Sequence, residues 1–349
     1  MCRWFTYLGE EPQLLEDILL RPSHSIVKQS AATPPSHSLS SPERAKSHEK
    51  MLKPTSANDT GSPNPLTNMD GFGVGWWSDS YENYQNGKTE KDGFRPVTYK
   101  NVRPPLNDLV LKSLARGVET KAAVAHIRAG TGLTPVVQTN CHPYTFGRHL
   151  FCHNGVLGSF HLFKTQLLTL LPLRYQLGVL GTTDSEHIAA LYFFHLCGED
   201  GDWEELYPVA EMGAAMTKTL KVLESLKAEA EEKHKVPAEN NALNLLCSSG
   251  SSLIATRYAT PAGSEPPSLY YSTVAGATLN RKFKGHPDEG KPGSKGMKCG
   301  DKDKDSHGKH VIIGSEPNTY DQKEWDLIPP ASMLLVDENI ELKLEHLEI

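Results

Sequence analysis

Short runs of apolar or alternating residues recur along the chain, and most are bounded by Gly, Pro or Asn. They predict strands at 2–8, 71–77, 121–127, 149–153, 242–247, 252–258, 269–273, 310–314, 332–336 and 340–344. Stretches with helical spacing predict helices at 12–20, 105–115, 159–170, 184–197 and 203–232. In the first of these, Leu14, Leu15, Ile18 and Leu19 make one face. In the fourth, Asp184 or Thr183 is placed to cap the helix, with Glu186 close behind. Strands come in runs as well as in alternation with helices, which disfavours a strictly parallel βαβ arrangement. The pattern suits an α+β layered sandwich of antiparallel sheets. There is no internal repeat.

The pattern lapses twice. Residues 31–68 are rich in Ser, Pro, Lys and His, with Pro34-Pro35, Ser41-Pro42 and Asn64-Pro65 as breakers. Residues 281–309 are dominated by Lys, Asp and Gly, as in Lys302-Asp303-Lys304-Asp305. Neither has apolar residues enough to fold, so both read as flexible insertions.

Composition narrows the field. A chain of 349 residues with a net charge of -6 has ample core and no basic excess that would suggest nucleic acid. Glu10, Glu11, Glu16 and Asp17 interrupt the first apolar stretch, so no signal peptide is expected. No apolar run is long enough for a membrane span. The 6 cysteines follow no framework spacing, which fits a reducing compartment and hence the cytoplasm. The sequon Asn58-Asp59-Thr60 is then idle.

The candidate chemistry begins at Cys2. Its small side chain behind Met1 is what methionine aminopeptidases tolerate, and removal of Met1 would leave one residue carrying a thiol and a free α-amine. That pair is a nucleophile with a built-in base. Arg128, after the apolar strand 122–127, is placed to meet a carboxylate with its fork, unless it serves a surface ion pair. His126 reads as a structural histidine. Asn154-Gly155, at the end of the strand 149–153, offers an amide and a backbone N–H to an oxyanion, although Asn-Gly alone is a turn signal. Asp184 opens a helix, as a cap on structural grounds or as an acceptor for a substrate ammonium. The pairs Cys141-His142 and Cys152-His153 are not read as a zinc site. Their spacing is wrong, and a strand would point Cys152 and His153 to opposite faces. The glycine-rich run Asp70–Trp77 lacks the lysine and spacing of a phosphate loop. No metal and no cofactor is called for. Taken together, Arg128, Asp184 and the set Cys2, Asn154 and Gly155 fit the α-carboxylate, α-ammonium and γ-carbonyl of one γ-glutamyl group.

The ordered set Met1-Cys2-Arg3, His126-Ile127-Arg128-Ala129, Asn140-Cys141-His142-Pro143, His153-Asn154-Gly155 and Thr183-Asp184-Ser185-Glu186 resembles class II glutamine amidotransferases, which are N-terminal-nucleophile hydrolases. Within them, Cys2–Leu8, the stretch 20–26, Asp70–Val74 and Ser315-Glu316-Pro317 are similar to the amidotransferase-like subunit of the fungal glutathione-degradation complex. The likeness spans nearly the whole chain except 31–68 and 281–309, so it implies a single domain over 2–349. It implies a four-layer αββα sandwich of two antiparallel sheets, with the nucleophile at the start of an inner strand. It also implies that Cys2 attacks a γ-glutamyl amide, with Asn154 and Gly155 at the oxyanion, Arg128 at the carboxylate and Asp184 at the ammonium. Glutathione is the substrate it suggests, with a metallopeptidase-like subunit as partner. Two other readings stay open: a glutaminase delivering ammonia from glutamine to a separate synthase chain, and a scaffold subunit with a vestigial pocket.

Overall fold

The computed structural model describes residues 2–22, 24–30, 70–80, 93–130, 134–284, 300–319 and 321–349. The first strands are β1 (Arg3–Leu14), β2 (Phe72–Ser78), β3 (Arg95–Asn101) and β4 (Glu119–Ile127). After them come β5 (Tyr144–Phe146), β6 (His149–Val156), β7 (Asn241–Ser248), β8 (Leu253–Thr260) and β9 (Tyr270–Ser272). The last are β10 (His310–Gly314), β11 (Asp326–Leu327), β12 (Ser332–Val336) and β13 (Leu342–His346). They form a seven-stranded sheet in the order β11-β9-β10-β1-β4-β2-β3 and a six-stranded sheet in the order β13-β12-β8-β7-β6-β5. Every pairing between these strands is antiparallel.

Strand alternation sorts the apolar residues into three layers. In β1, Trp4 and Leu8 enter the layer between the sheets, whereas Phe5 and Tyr7 face the helices on the other side. In β6, Leu150 and Cys152 face the opposite sheet and Phe151 faces the second set of helices. The helices Leu15–Leu19, Ile26–Gln29 and Leu109–Gly117 share a core with the seven-stranded sheet. The helices Phe160–Leu170, Asp184–Cys197 and Val209–His234 share one with the six-stranded sheet. Each fully buried large side chain in these layers contributes roughly 1.5–3 kcal/mol of transfer free energy. The expected αββα sandwich is the fold.

Several elements depart from the expected boundaries. β1 runs to Leu14, because after an irregularity its pairing with β4 resumes at Gln13↔Thr120 and Leu14↔Glu119. Backbone pairing overrides the helical spacing there, and the helix starts only at Leu15. The predicted helix over 203–232 starts at Val209, behind Pro208, and runs on to His234. β3 has no apolar alternation because it is an edge strand with Val97 and Thr98 exposed.

The insertion 31–68 lies outside the described residues. In 281–309, Arg281 and Phe283 are held against the body of the protein, whereas most of residues 301–309 are exposed. Arg281 Nε donates to both carboxylate oxygens of Asp17 at 2.7 and 2.9 Å, and Phe283 is buried. The Lys284 amide donates to the Lys302 carbonyl at 3.0 Å. One aromatic and one paired arginine anchor what the charge run had suggested was solvated throughout.

Candidate active site

Cys2 precedes β1 by one residue and shares its phase with Trp4. The Trp4 indole lies between the sheets, where its N–H donates to the Asn244 carbonyl of β7 at 3.3 Å. Cys2 is thereby directed into the same gap. Its Sγ accepts from the Ala129 amide at 3.2 Å and lies 3.4 Å from the Ala129 carbonyl. Burial pushes the Cys2 thiol above its ordinary pKa, against the opposing pull of the Ala129 amide and the Arg128 charge. A thiol in that condition is protonated at neutral pH and needs a base before it can attack. Met1 lies outside the described residues.

Arg128 follows the end of β4 and is buried. Its amide donates to the Gly71 carbonyl at 2.8 Å, and Nη1 donates to the Asp70 carbonyl at 3.3 Å. Nη2 is buried without a partner. The Asp70 carboxylate accepts from the Gly130 amide at 2.7 Å, which ties the backbone on either side of Ala129 to the start of β2. A buried guanidinium with an open nitrogen suits a carboxylate ligand.

Asn154 pairs with Asn244 across the β6–β7 register, on the face of β6 that looks to the other sheet. Its Nδ2 makes one long contact, 3.5 Å to Ser315 Oγ, and its Oδ1 has no partner. Ser315 Oγ also accepts from the Trp4 amide at 3.1 Å, so this hydroxyl joins the start of β1 to Asn154. Gly155 has φ +147, and a Cβ there would stand 1.7 Å from the Ala242 carbonyl oxygen. Only glycine fits.

Asp184 is not the helix cap. Thr183 takes that place, accepting from the Glu186 amide at 3.4 Å, and Asp184 is the first helical residue. Its carboxylate turns outward, accepting from the Leu157 amide at 2.9 Å and the Ser185 amide at 2.8 Å. It is thus tethered just beyond the strand end that carries Asn154 and Gly155. The five sequence candidates are linked in series: Cys2 to Ala129 beside Arg128, β1 through Ser315 and one long contact to Asn154, and Gly155 through Leu157 to Asp184.

His126 has a structural placement. Its Nε2 donates to the His153 carbonyl at 3.1 Å, its ring lies tilted against that of His142 with centroids 3.9 Å apart, and burial lowers its pKa to about 3. Cys152 faces the other sheet and His153 faces Ser185, on opposite sides of β6. Among the described residues no group of three His, Cys, Asp or Glu side chains is arranged to hold a metal ion.

Asp70, Ser315 and Glu316 received no role from the sequence. Glu316 takes Arg3 Nε and Nη2 on one oxygen at 3.0 and 2.9 Å, and His24 Nε2 on the other at 2.9 Å. Burial raises its pKa, but His24 and then Arg3 outweigh that and hold the carboxyl down to about 2. The cluster braces Arg3, the residue after the nucleophile, on the face of β1 opposite Cys2. Nothing in spacing marks these three, since their partners are distant in sequence.

No protein-family model matches the chain. Among curated proteins it is 27% identical over 343 residues to the "Probable glutamine amidotransferase DUG3" of Saccharomyces cerevisiae, covering 96% of this chain and 82% of that protein. Among solved structures it is similar to a glutamine aminotransferase class-II domain protein from Silicibacter pomeroyi, at a TM-score of 0.54 and 18% identity, with 100% of both chains covered. It is also similar to a structure described as the allosteric regulatory enzyme of purine biosynthesis, at a TM-score of 0.51 and 14% identity, covering 100% of this chain and 49% of that one. At those identities the structures speak for the fold alone. The yeast relative carries the likeness that the motifs suggested, and the two structures carry the fold.

Proposed function

We propose, for a chain that resembles class II glutamine amidotransferases over nearly its full length, that it hydrolyses γ-glutamyl amides through a thioester on Cys2. The observation that carries this reading is the convergence of Cys2 with a buried, part-free arginine and a part-free asparagine at one junction of the two sheets. With Met1 removed, the α-amine of Cys2, directly or through a water, takes the thiol proton. The thiolate adds to the γ-carbonyl carbon, and the oxygen takes the electron pair. The Asn154 amide, loosely held at present, and the Gly155 N–H donate to that oxyanion. The carbonyl re-forms as the C–N bond breaks, and the new ammonium gives its proton to the leaving nitrogen. Water then cleaves the thioester, releasing glutamate and restoring the thiol. Arg128 holds the substrate carboxylate through its open Nη2, and Asp184 holds the ammonium.

The leaving group we assign is cysteinylglycine, with glutathione as substrate and a metallopeptidase-like subunit as partner. This rests on the motifs shared with the fungal glutathione-degradation subunit. The five cysteines among the described residues are all free, which supports a reducing, cytoplasmic setting. The likeness to a yeast protein named as a probable glutamine amidotransferase favours a second reading, ammonia release from glutamine. Glutamate release from glutathione and from glutamine, each supplied separately to the purified protein with and without the partner, decides between them. Cys2→Ala is expected to lose turnover on both while melting like the wild type. Retained hydrolysis in that variant, or an intact mass that keeps Met1 in an active preparation, would sink the mechanism.

A further inference from the structure

Behind the proposed substrate site lies a buried imidazole that the mechanism does not use. His153 faces the helix layer, on the side of β6 opposite Asn154, and is 2% exposed. Its Nδ1 lies 2.9 Å from Ser185 Oγ, and its Nε2 lies 3.2 Å from the Ala242 carbonyl. That carbonyl only accepts, so Nε2 carries a proton toward it. Ser185 Oγ also lies 3.2 Å from Asp184 Oδ1, to which the Ser185 amide donates at 2.8 Å. The hydroxyl, with one proton to donate, thus lies between an imidazole nitrogen and the carboxylate assigned to the substrate ammonium. The same ring lies under Gly155: a Cβ on that glycine would stand 3.1 Å from His153 Nε2, beside the Ala242 carbonyl that the ring also meets.

We propose that His153 and Ser185 are positioning residues that hold the ammonium subsite and the oxyanion subsite at the separation a glutamyl group requires. The α-ammonium and γ-carbonyl of that group are a fixed number of bonds apart. Asp184 and the Gly155 N–H must therefore keep their spacing, although one opens a helix and the other ends a strand. Ser185 fixes the Asp184 end and the His153 ring fixes the Gly155 end. The inference rests on the γ-glutamyl reading and deepens it.

The division of labour gives a crossed test on the full-length enzyme. Ser185→Ala removes the hydroxyl from Asp184 and leaves the ring under Gly155, so KM for the γ-glutamyl substrate rises roughly 10-fold while kcat stays within about two-fold. Ser185→Thr keeps the hydroxyl and restores KM. His153→Asn keeps a polar atom near the Nδ1 position but withdraws the ring from Gly155, so kcat falls roughly 10-fold or more with little change in KM. Inhibition constants add a readout that a merely structural role would not move. Ser185→Ala weakens L-glutamate but leaves glutarate, which lacks the amine, unchanged. The inference is overturned if Ser185→Ala matches the wild type, if it weakens glutarate as much as glutamate, or if His153→Asn lowers only the melting temperature. A wild type that releases no glutamate from any γ-glutamyl amide removes the functional reading itself, and this inference falls with it.

Discussion

Arg128 shows how one side chain can be both buried and unfinished. Nη1 is held by the Asp70 carbonyl, which aims the fork, and Nη2 is left without a partner. A buried, unpaired donor costs free energy, so a ligand carboxylate that completes it gains more than at the surface. Lysine keeps the charge but not the planar fork. Arg128→Lys is therefore expected to raise KM for the γ-glutamyl substrate by roughly 10- to 100-fold, with a smaller change in kcat. An unchanged KM in steady-state kinetics would remove Arg128 from the carboxylate subsite. Cys2 has the complementary problem. Its raised thiol pKa makes the base indispensable, which is why a free α-amine on the same residue matters chemically.

At the scale of the element, the junction between β6 and the helix Asp184–Cys197 carries the most. Thr183 caps that helix and its hydroxyl lies 2.7 Å from the Tyr144 hydroxyl, while Asp184 in the first turn reaches back to Leu157. The start of the helix is thus also a wall of the proposed site. Losing the cap costs about 1 kcal/mol, and a buried tyrosine hydroxyl left with only a long contact adds about as much. Thr183→Ala is expected to lower stability by about 2 kcal/mol in urea unfolding and to raise KM together with it. A stability loss with unchanged KM would separate the cap from the site. This helix was legible in the sequence to the residue, Asp184–Cys197, because Thr and Asp precede an unbroken apolar stretch. Which of the two caps was not legible. Both residue types suit the position, and only the placement of Leu157 gives Asp184 another partner.

For the whole molecule, burial of ionisable groups makes stability depend on pH in two stages. Burial lowers the pKa of His126 to about 3 and of His149 and His310 to about 4. The unfolded chain binds these protons near pH 6.5, before the folded one does. Stability is therefore complete above about pH 6.5 and falls as pH drops below it, by roughly 2 kcal/mol per buried histidine at about pH 5. Glu316 acts later. Its carboxyl, held down to about 2, contributes above the ordinary carboxylate range and loses that contribution as pH falls through it. The full shift corresponds to a few kcal/mol, on the order of 3. Urea midpoints measured from pH 7.5 to 3 are expected to decline from about pH 6.5, and Glu316→Gln is expected to flatten only the lower stage. A wild-type profile level down to about pH 4.5 would contradict the histidine stage.

The sequence by itself determined the alternation behind the layers and the residue types of the proposed site. Alternation sends Trp4 and Leu8 one way and Phe5 and Tyr7 the other, and that periodicity predicts layered antiparallel sheets, whereas the αββα order came from the family resemblance. Cys2, Arg128, Asn154, Gly155 and Asp184 each have an ordinary structural reading alone, and they stand out as a proposed site only as an ordered set that fits one substrate and resembles one family. The tertiary structure decided what depends on partners far away in the chain. Ser315 meets Trp4 and Asn154 from 311 and 161 residues away, and Glu316 joins Arg3 and His24 across 313 and 292. It also decided that β1 continues to Leu14, because β4 lies alongside, that Phe283 in the charged stretch is buried, and that Arg281 pairs with Asp17. Periodicity and residue chemistry are local and survive in one dimension. Desolvation, pairing and close approach arise only when distant segments are brought together, and they bring a thiol, a guanidinium and an amide to the proposed site.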